Sequence, residues 1–211
     1  MREIIKENLD TTFAVVIGII FAIIGIIGIA DTFPIINPAS AATETISVSA
    51  TISQWISFSV STNTVAITPD LVTSAGGTNI GSSPDITLTA GTNDADGYSI
   101  DLRDSYGGLC HSGGCSVWKV TSTDATLSAG TDGYGAQASS TDSDVTIGAN
   151  YNYWGNNQVG DISSTTAQTV ASTSGPSSSD QTLLKLKAAA ADTDPDGTYS
   201  DTLTLTCLGN P

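Results

Sequence analysis

The chain has 211 residues, 6 of them basic and 21 acidic, with a formal net charge of −15 and a pI ≈ 4.1. A surface of that sign repels nucleic-acid phosphates and anionic lipid headgroups, which excludes nucleic-acid binding and electrostatic membrane docking. It suits a soluble, self-repelling exterior or one that gathers cations.

Residues 13–30, FAVVIGIIFAIIGIIGIA, carry no charge. As a helix rising ~1.5 Å per residue they span roughly 27 Å, close to the ~30 Å hydrocarbon thickness of a bilayer. Ahead of them, Arg2 and Lys6 are set against Glu3, Glu7 and Asp10. Behind them, Ala39-Ser40-Ala41 has the small-x-small form of a signal-peptidase site, with Ser40-Ala41-Ala42 adjacent. Cleavage there releases a secreted domain. Two features favour retention as a membrane anchor instead. The apolar run exceeds the about 7–15 residues usual for a signal, and Ala14, Gly18 and Ala22 form a small-xxx-small stripe. Residues 1–42 therefore read as a signal peptide or N-terminal membrane anchor. Residues 43–211 read as one extracellular domain, long enough for a single core.

All the acidic residues except Glu3, Glu7 and Glu44 are aspartate, and aspartate favours turns where glutamate favours helices. From Thr45 to Ser61, TISVSATISQWISFSVS, the even positions Ile46, Val48, Ala50, Ile52, Ile56, Phe58 and Val60 are apolar. Nearly all the odd positions are Ser or Thr, the pattern of a half-buried strand. Gln54-Trp55 breaks the pattern and predicts a bend or bulge that divides it in two. Val65–Ile67 reads as a short strand and 68–85, rich in Gly, Ser and Pro, as a loop. Further strands are predicted at Ile86–Ala90, Tyr98–Leu102, Val117–Thr121, Val145–Ile147, Leu183–Ala190 and Thr198–Cys207. Propensity alone allows a helix at 183–191. The alternation of Leu184, Leu186 and Ala188 with Lys185 and Lys187 favours a strand. Polar residues 124–181 read largely as exposed loop. The predicted fold class is all-β: an antiparallel β-sandwich of about seven to nine strands, immunoglobulin-like or fimbrial-like, behind one N-terminal hydrophobic helix.

Four groups of residues carry candidate chemistry. Cys110 and Cys115, in CHSGGC, predict a loop disulfide in an exported chain. The rival use of both thiolates with His111 as a metal site lacks a fourth ligand in the sequence. Cys207 shares parity with Leu203 and Leu205, which predicts an inward, inert thiol, a cross-chain disulfide being the alternative. Asp192, Asp194 and Asp196, in DTDPDG, match the opening of a calcium loop, but Leu203 stands where its closing carboxylate belongs. Asn93-Asp-Ala-Asp-Gly97, with Asp101 beyond, is a looser version, and plain Asp-Gly turns explain both. Tyr151, Tyr153 and Trp154 group aromatics beside asparagines, a chemistry that stacks on sugar rings, although aromatics also close β cores. Beyond residue 43 only His111 and Glu44 join the aspartates as acid–base candidates, and the glycines follow no phosphate-binding spacing. The expectation is a protein that is not an enzyme and requires no cofactor, calcium aside.

GYGAQASS (133–140), NNQVGDISS (156–164) and GTYSDTLTLT (197–206), behind an apolar leader and the ISFSVS strand (56–61), resemble secreted Gly/Ser/Thr-rich surface proteins of candidate-phylum, Patescibacteria-like bacteria. The GTYSDTLTLT ending is similar to the last strand of fimbrial and coat-type sandwiches. The resemblance implies a cell-surface sandwich and supplies no catalytic residue. The Cys110–Cys115 insert and Cys207 depart from it. The functional expectation is a non-enzymatic, exported structural or adhesive protein displaying the loops at 104–116 and 124–181. Its partners would be other surface proteins, glycans or further copies of itself, with the membrane touched only through residues 13–30. A pilus or fibre subunit that assembles by strand addition through residues 45–53, and a carbohydrate-binding module, are the alternatives.

Overall fold

The computed structural model describes residues 44–72 and 76–210. The apolar run at 13–30 and the cleavage motif at 39–42 lie outside the described residues, and among the described residues no helix is long and apolar enough to cross a membrane. The chain divides into two compact units, 1–51 and 52–211, and every described strand belongs to the second.

That unit is all-β. In chain order the strands are β1 (Ile56–Val60), β2 (Ile80–Ser82), β3 (Ile86–Thr92), β4 (Tyr98–Asp104) and β5 (Gly108–His111). β6 (Lys119–Thr121), β7 (Ala125–Thr126), β8 (Gly133–Ser140), β9 (Thr146–Ile147) and β10 (Gln158–Val159) follow. β11 (Gln168–Ser172), β12 (Ser177–Ala189), β13 (Tyr199–Ser200) and β14 (Leu203–Gly209) complete the set. All pair antiparallel in four sheets. The largest sheet centres on β12, which pairs with β8 on one side and with β3 and then β2 on the other, while β1 lies beyond β3. The second runs β14-β4-β11-β9, and smaller sheets join β13-β5-β6 and β10-β7.

The period-two pattern explains the core. Ile86, Leu88 and Ala90 on β3, Tyr98, Ile100 and Leu102 on β4, and Leu184, Leu186 and Ala188 on β12 are buried in one cluster. Each fully buried Leu or Ile contributes about 1.5–3 kcal/mol relative to exposure. The alternate residues Lys185 and Lys187 point out, so alternation prevails over helix propensity at 183–189. On β11 a register shift between Thr169 and Ala171 lets the neighbours Val170 and Ala171 both turn inward.

Five sequence expectations are corrected. Residues 44–55 form no strand and are exposed; only 56–60 of the alternating stretch pairs, with β3. Gln54-Trp55 is not a bend or bulge dividing two strands, because no strand precedes it among the described residues; its backbone is held at the end of β3, where Trp55 N donates to Asn93 Oδ1 at 2.8 Å and Asn93 Nδ2 donates to Ser53 O at 2.9 Å. Residues 65–67 stay irregular, and 198–207 breaks into β13 and β14 around Asp201. The stretch 124–181 holds five complete strands, β7 to β11, and the start of β12.

Of these, β8 is the main omission. It lacks a polar face because both of its faces are covered: Tyr134, Ala136 and Ala138 face the core, while Gln137 is buried under residues 156–160 and its Nε2 donates to Asn156 O at 2.8 Å. A Cβ on Gly135 would meet Gly160 O at 2.5 Å, so the strand needs glycine there. With fourteen strands among the described residues, the count exceeds the expected seven to nine because many are two or three residues long.

Burial is uneven at the rim. The inward side chains of central strands β3 and β4 are closed off, whereas Ile56 and Val60 on β1 remain 44% and 38% exposed. Leu203, Leu205 and Cys207 on β14 are only half-buried. Among the described residues, β1 and β14 each have a ladder partner on one side alone.

Candidate functional site

β5 and β6 are joined by the turn that the sequence marks with CHSGGC. Cys110 and Cys115 are disulfide-bonded, with Cα atoms 4.6 Å apart, which removes the thiolate metal site from consideration. Gly114 N donates to His111 O at 2.8 Å, and His111 N donates to Trp118 O at 3.1 Å, closing the turn inside the covalent loop. Gly114 sits at φ 118°, a backbone conformation open to glycine and strained for other residues.

The single histidine positions this loop. His111 Nδ1 accepts from Gly113 N at 2.9 Å, so Nε2 carries the proton and donates to Asp196 O at 3.1 Å. The ring meets Tyr199 edge-on, centroids 5.1 Å apart, and Tyr199 Oη donates to Pro195 O at 3.1 Å. Ser112 N donates to Thr198 O at 2.9 Å. The cysteine loop and the DTDPDG turn, separate motifs in the sequence, are thus one supported structure. Val117 and Trp118, on the β5–β6 connection, are exposed by 65% and 45%, and Tyr106, on the β4–β5 turn, by 53%. Lys119 Nζ donates to Tyr106 O at 3.1 Å and braces that segment.

Asp192, Asp194 and Asp196 do not converge. Asp194 Oδ2 accepts from Ala191 N at 3.1 Å, the same N–H that donates to Asp132 Oδ1 at 2.8 Å. Burial, followed by the hydrogen bond and charge of Asp132, pushes the Asp194 carboxyl up to about 6. Asp196 contributes its backbone carbonyl to His111. Among the described residues no three His, Cys, Asp or Glu side chains are grouped to hold a metal ion. The second calcium-like motif is turn chemistry as well: Asp94 Oδ1 accepts from Asp96 N at 3.1 Å, and Asp101 Oδ1 accepts from Thr169 Oγ1 at 2.8 Å.

The aromatic cluster is divided by burial. Tyr151 is fully buried, and its one hydroxyl proton is shared between Asp161 O at 2.9 Å and Gln168 Oε1 at 2.8 Å, so it is a core anchor with no face for a sugar. Tyr153 and Trp154 are half-buried, and Lys185 Nζ lies 4.4 Å from the centre of the Trp154 ring. Lys187 Nζ donates to Asn156 O at 2.6 Å, so the outward lysines of β12 bind the 154–157 turn to the sheet.

Cys207 packs against the core as its parity requires, and burial raises its thiol to about 11. A carboxyl pair, Asp104 buried and Asp201 half-buried, had no signal in the sequence. Asp104 is buried with Oδ1 accepting from Gly107 N at 2.8 Å and Oδ2 unpaired. Burial raises its pKa; burial, and then the charge of Asp104, lifts Asp201 to about 6. Only packing across sequence-distant strands brings these two acids together.

No protein-family model matches the chain, and no curated protein matches it.

Proposed function

We propose that residues 43–211 form an exported β-sandwich of immunoglobulin-like or fimbrial-like type that displays its disulfide-braced loop as an adhesive or structural surface outside the cell. The role is binding and display rather than catalysis, and it requires no cofactor. The observation that carries this reading is the placement of Val117 and Trp118, exposed apolar side chains on the β5–β6 loop held by a covalent bond and by His111, with exposed Tyr106 on the β4–β5 turn tied to it through Lys119. Exposed apolar side chains on a rigid support mark interaction sites, and a loop disulfide belongs to an oxidising compartment. The common core of the two larger sheets supports the sandwich, and the apolar run at 13–30 supports export by a signal or an anchor. The resemblance to candidate-phylum surface proteins points the same way.

The test has two arms. Intact cells producing the full chain are treated with a membrane-impermeant amine reagent, and labelling of Lys119 and Lys185 is expected. Retention of those cells on protein-coated and glycan-coated surfaces is expected to fall in the V117S/W118S double variant. Labelling only after lysis removes the export reading, and unchanged retention removes the loop.

A further inference from the structure

We infer that the trough between β1 and β14 receives residues 45–53 of a second copy of this chain, so that copies join by strand addition; this rests on the reading of the domain as an exported structural unit. The trough is a gap in the core. It is a cavity of about 390 Å³ with Phe58 and Val60 on one wall, Leu203 and Leu205 on the other, and Leu184 in its floor. At one end it is closed, where Gly209 lies beside the side chain of Gln54. At the other it continues past Val65 and Leu186, which it shares with a larger cavity of about 880 Å³ that reaches Leu109, Val120 and Tyr134. Edge strands with open backbone on both sides of an apolar slot are what an incoming strand fills, its main chain completing the ladders and its alternate side chains entering the core.

Residues 45–53 have the pattern that such a slot takes. Ile46, Val48 and Ile52 are 85%, 89% and 86% exposed, and they alternate with Ser and Thr. No charge falls between Thr45 and Ser53, and none lines the β1–β14 cavity, in a chain of net charge −15 whose other surfaces repel one another. The larger cavity is lined by Asp70, Asp194, Asp196 and Asp201, to which the hydroxyls of the odd positions can donate. Nine extended residues expose roughly 1,200 Å², so covering nearly all of that surface approaches the lower end of a stable specific interface.

The occupant comes from another copy because the chain's own segment is tied at the closed end. Ser53 O, Trp55 N and Trp55 O are bonded to Asn93 and Thr92, and Gln54 Nε2 donates to Asp94 Oδ2. Turning back at Gln54-Trp55 to enter the same trough would break these bonds, and a neighbour's segment breaks none of them.

The test uses the full chain in detergent with C207S and L205C as background, adding one of I46C, S47C, V48C, S49C or I52C under mild oxidation. Disulfide-linked multimers are expected from the even positions and not from 47 or 49. The I46D/V48D pair, in the unsubstituted chain, is expected to abolish concentration-dependent association while the β-sheet circular dichroism is kept. A cross-link confined to single chains, equal linkage at odd and even positions, no linkage at any position, or unchanged association in I46D/V48D would each overturn the inference. Surface labelling of Lys119 is independent of all of these, so loss of assembly with labelling intact removes strand addition and leaves display standing.

Discussion

Tyr98 on β4 donates from its Oη to Asp180 Oδ2 on β12 at 3.1 Å, a buried bond that links the two larger sheets. Burial first, and then the charge of Asp180, raises the Tyr98 hydroxyl and holds it as a donor. Tyr98→Phe leaves the ring and removes the donor, so a buried carboxylate oxygen loses this partner. The expected loss is about 1–3 kcal/mol, read as a lower urea midpoint with an unchanged slope.

Stability is expected to fall as pH rises. Asp201 and Asp194 move from an ordinary 3.8 up to about 6 in the folded chain. The folded state therefore holds more protons than the unfolded state between those values, and its stability declines through that window. Asp201→Asn removes one of these groups. The variant should gain stability at pH 7 relative to the wild type and show a flatter profile between pH 4 and 7, measured by thermal unfolding at each pH.

Gly197 at φ 144° lies directly against His111, and a Cβ there would collide with His111 Nε2. Gly197→Ala should push the ring off Asp196 and release the cysteine loop without disturbing the main core. Faster amide exchange at residues 112–118, with unchanged protection on β3, β4 and β12, is the expected result.

Replacing both Cys110 and Cys115 with serine opens a loop so short that the chain-entropy model assigns it roughly 2 kcal/mol. The domain should stay folded by circular dichroism, with a modest drop in melting temperature. If the loop carries binding, retention of producing cells falls far more than stability does.

Truncating Trp154 to alanine uncovers the Lys185 ammonium, which keeps its 2.9 Å contact with Asp85. Exposed cation–π contacts contribute about 0.5–1 kcal/mol, so the melting temperature should barely change. A change in glycan-array profile in this variant would restore a sugar-binding role to the half-buried pair Tyr153 and Trp154.

Local rules were enough where one face of a strand is wet. Ile86-Leu88-Ala90, Tyr98-Ile100-Leu102 and Leu184-Leu186-Ala188 announce their inward faces by alternation, and the cysteine spacing announces the disulfide. β8 had no such signal, because a strand covered on both faces by small residues has no polar phase to read. Parity placed Cys207 inward, yet it also suggested a strand at 45–53 that joins no strand ladder among the described residues.

What the sequence by itself determined is the compositional and periodic frame: an acidic, turn-rich, alternating chain behind a charge-free run. The tertiary structure decided which of the motifs meet. It set His111 against Asp196, buried Tyr151, turned Asp194 toward Asp132, and, among the described residues, left β1 and β14 with one open side each. Alternation is a property of neighbours along the chain, whereas these contacts join residues tens of positions apart, and only the register of the folded strands selects among them.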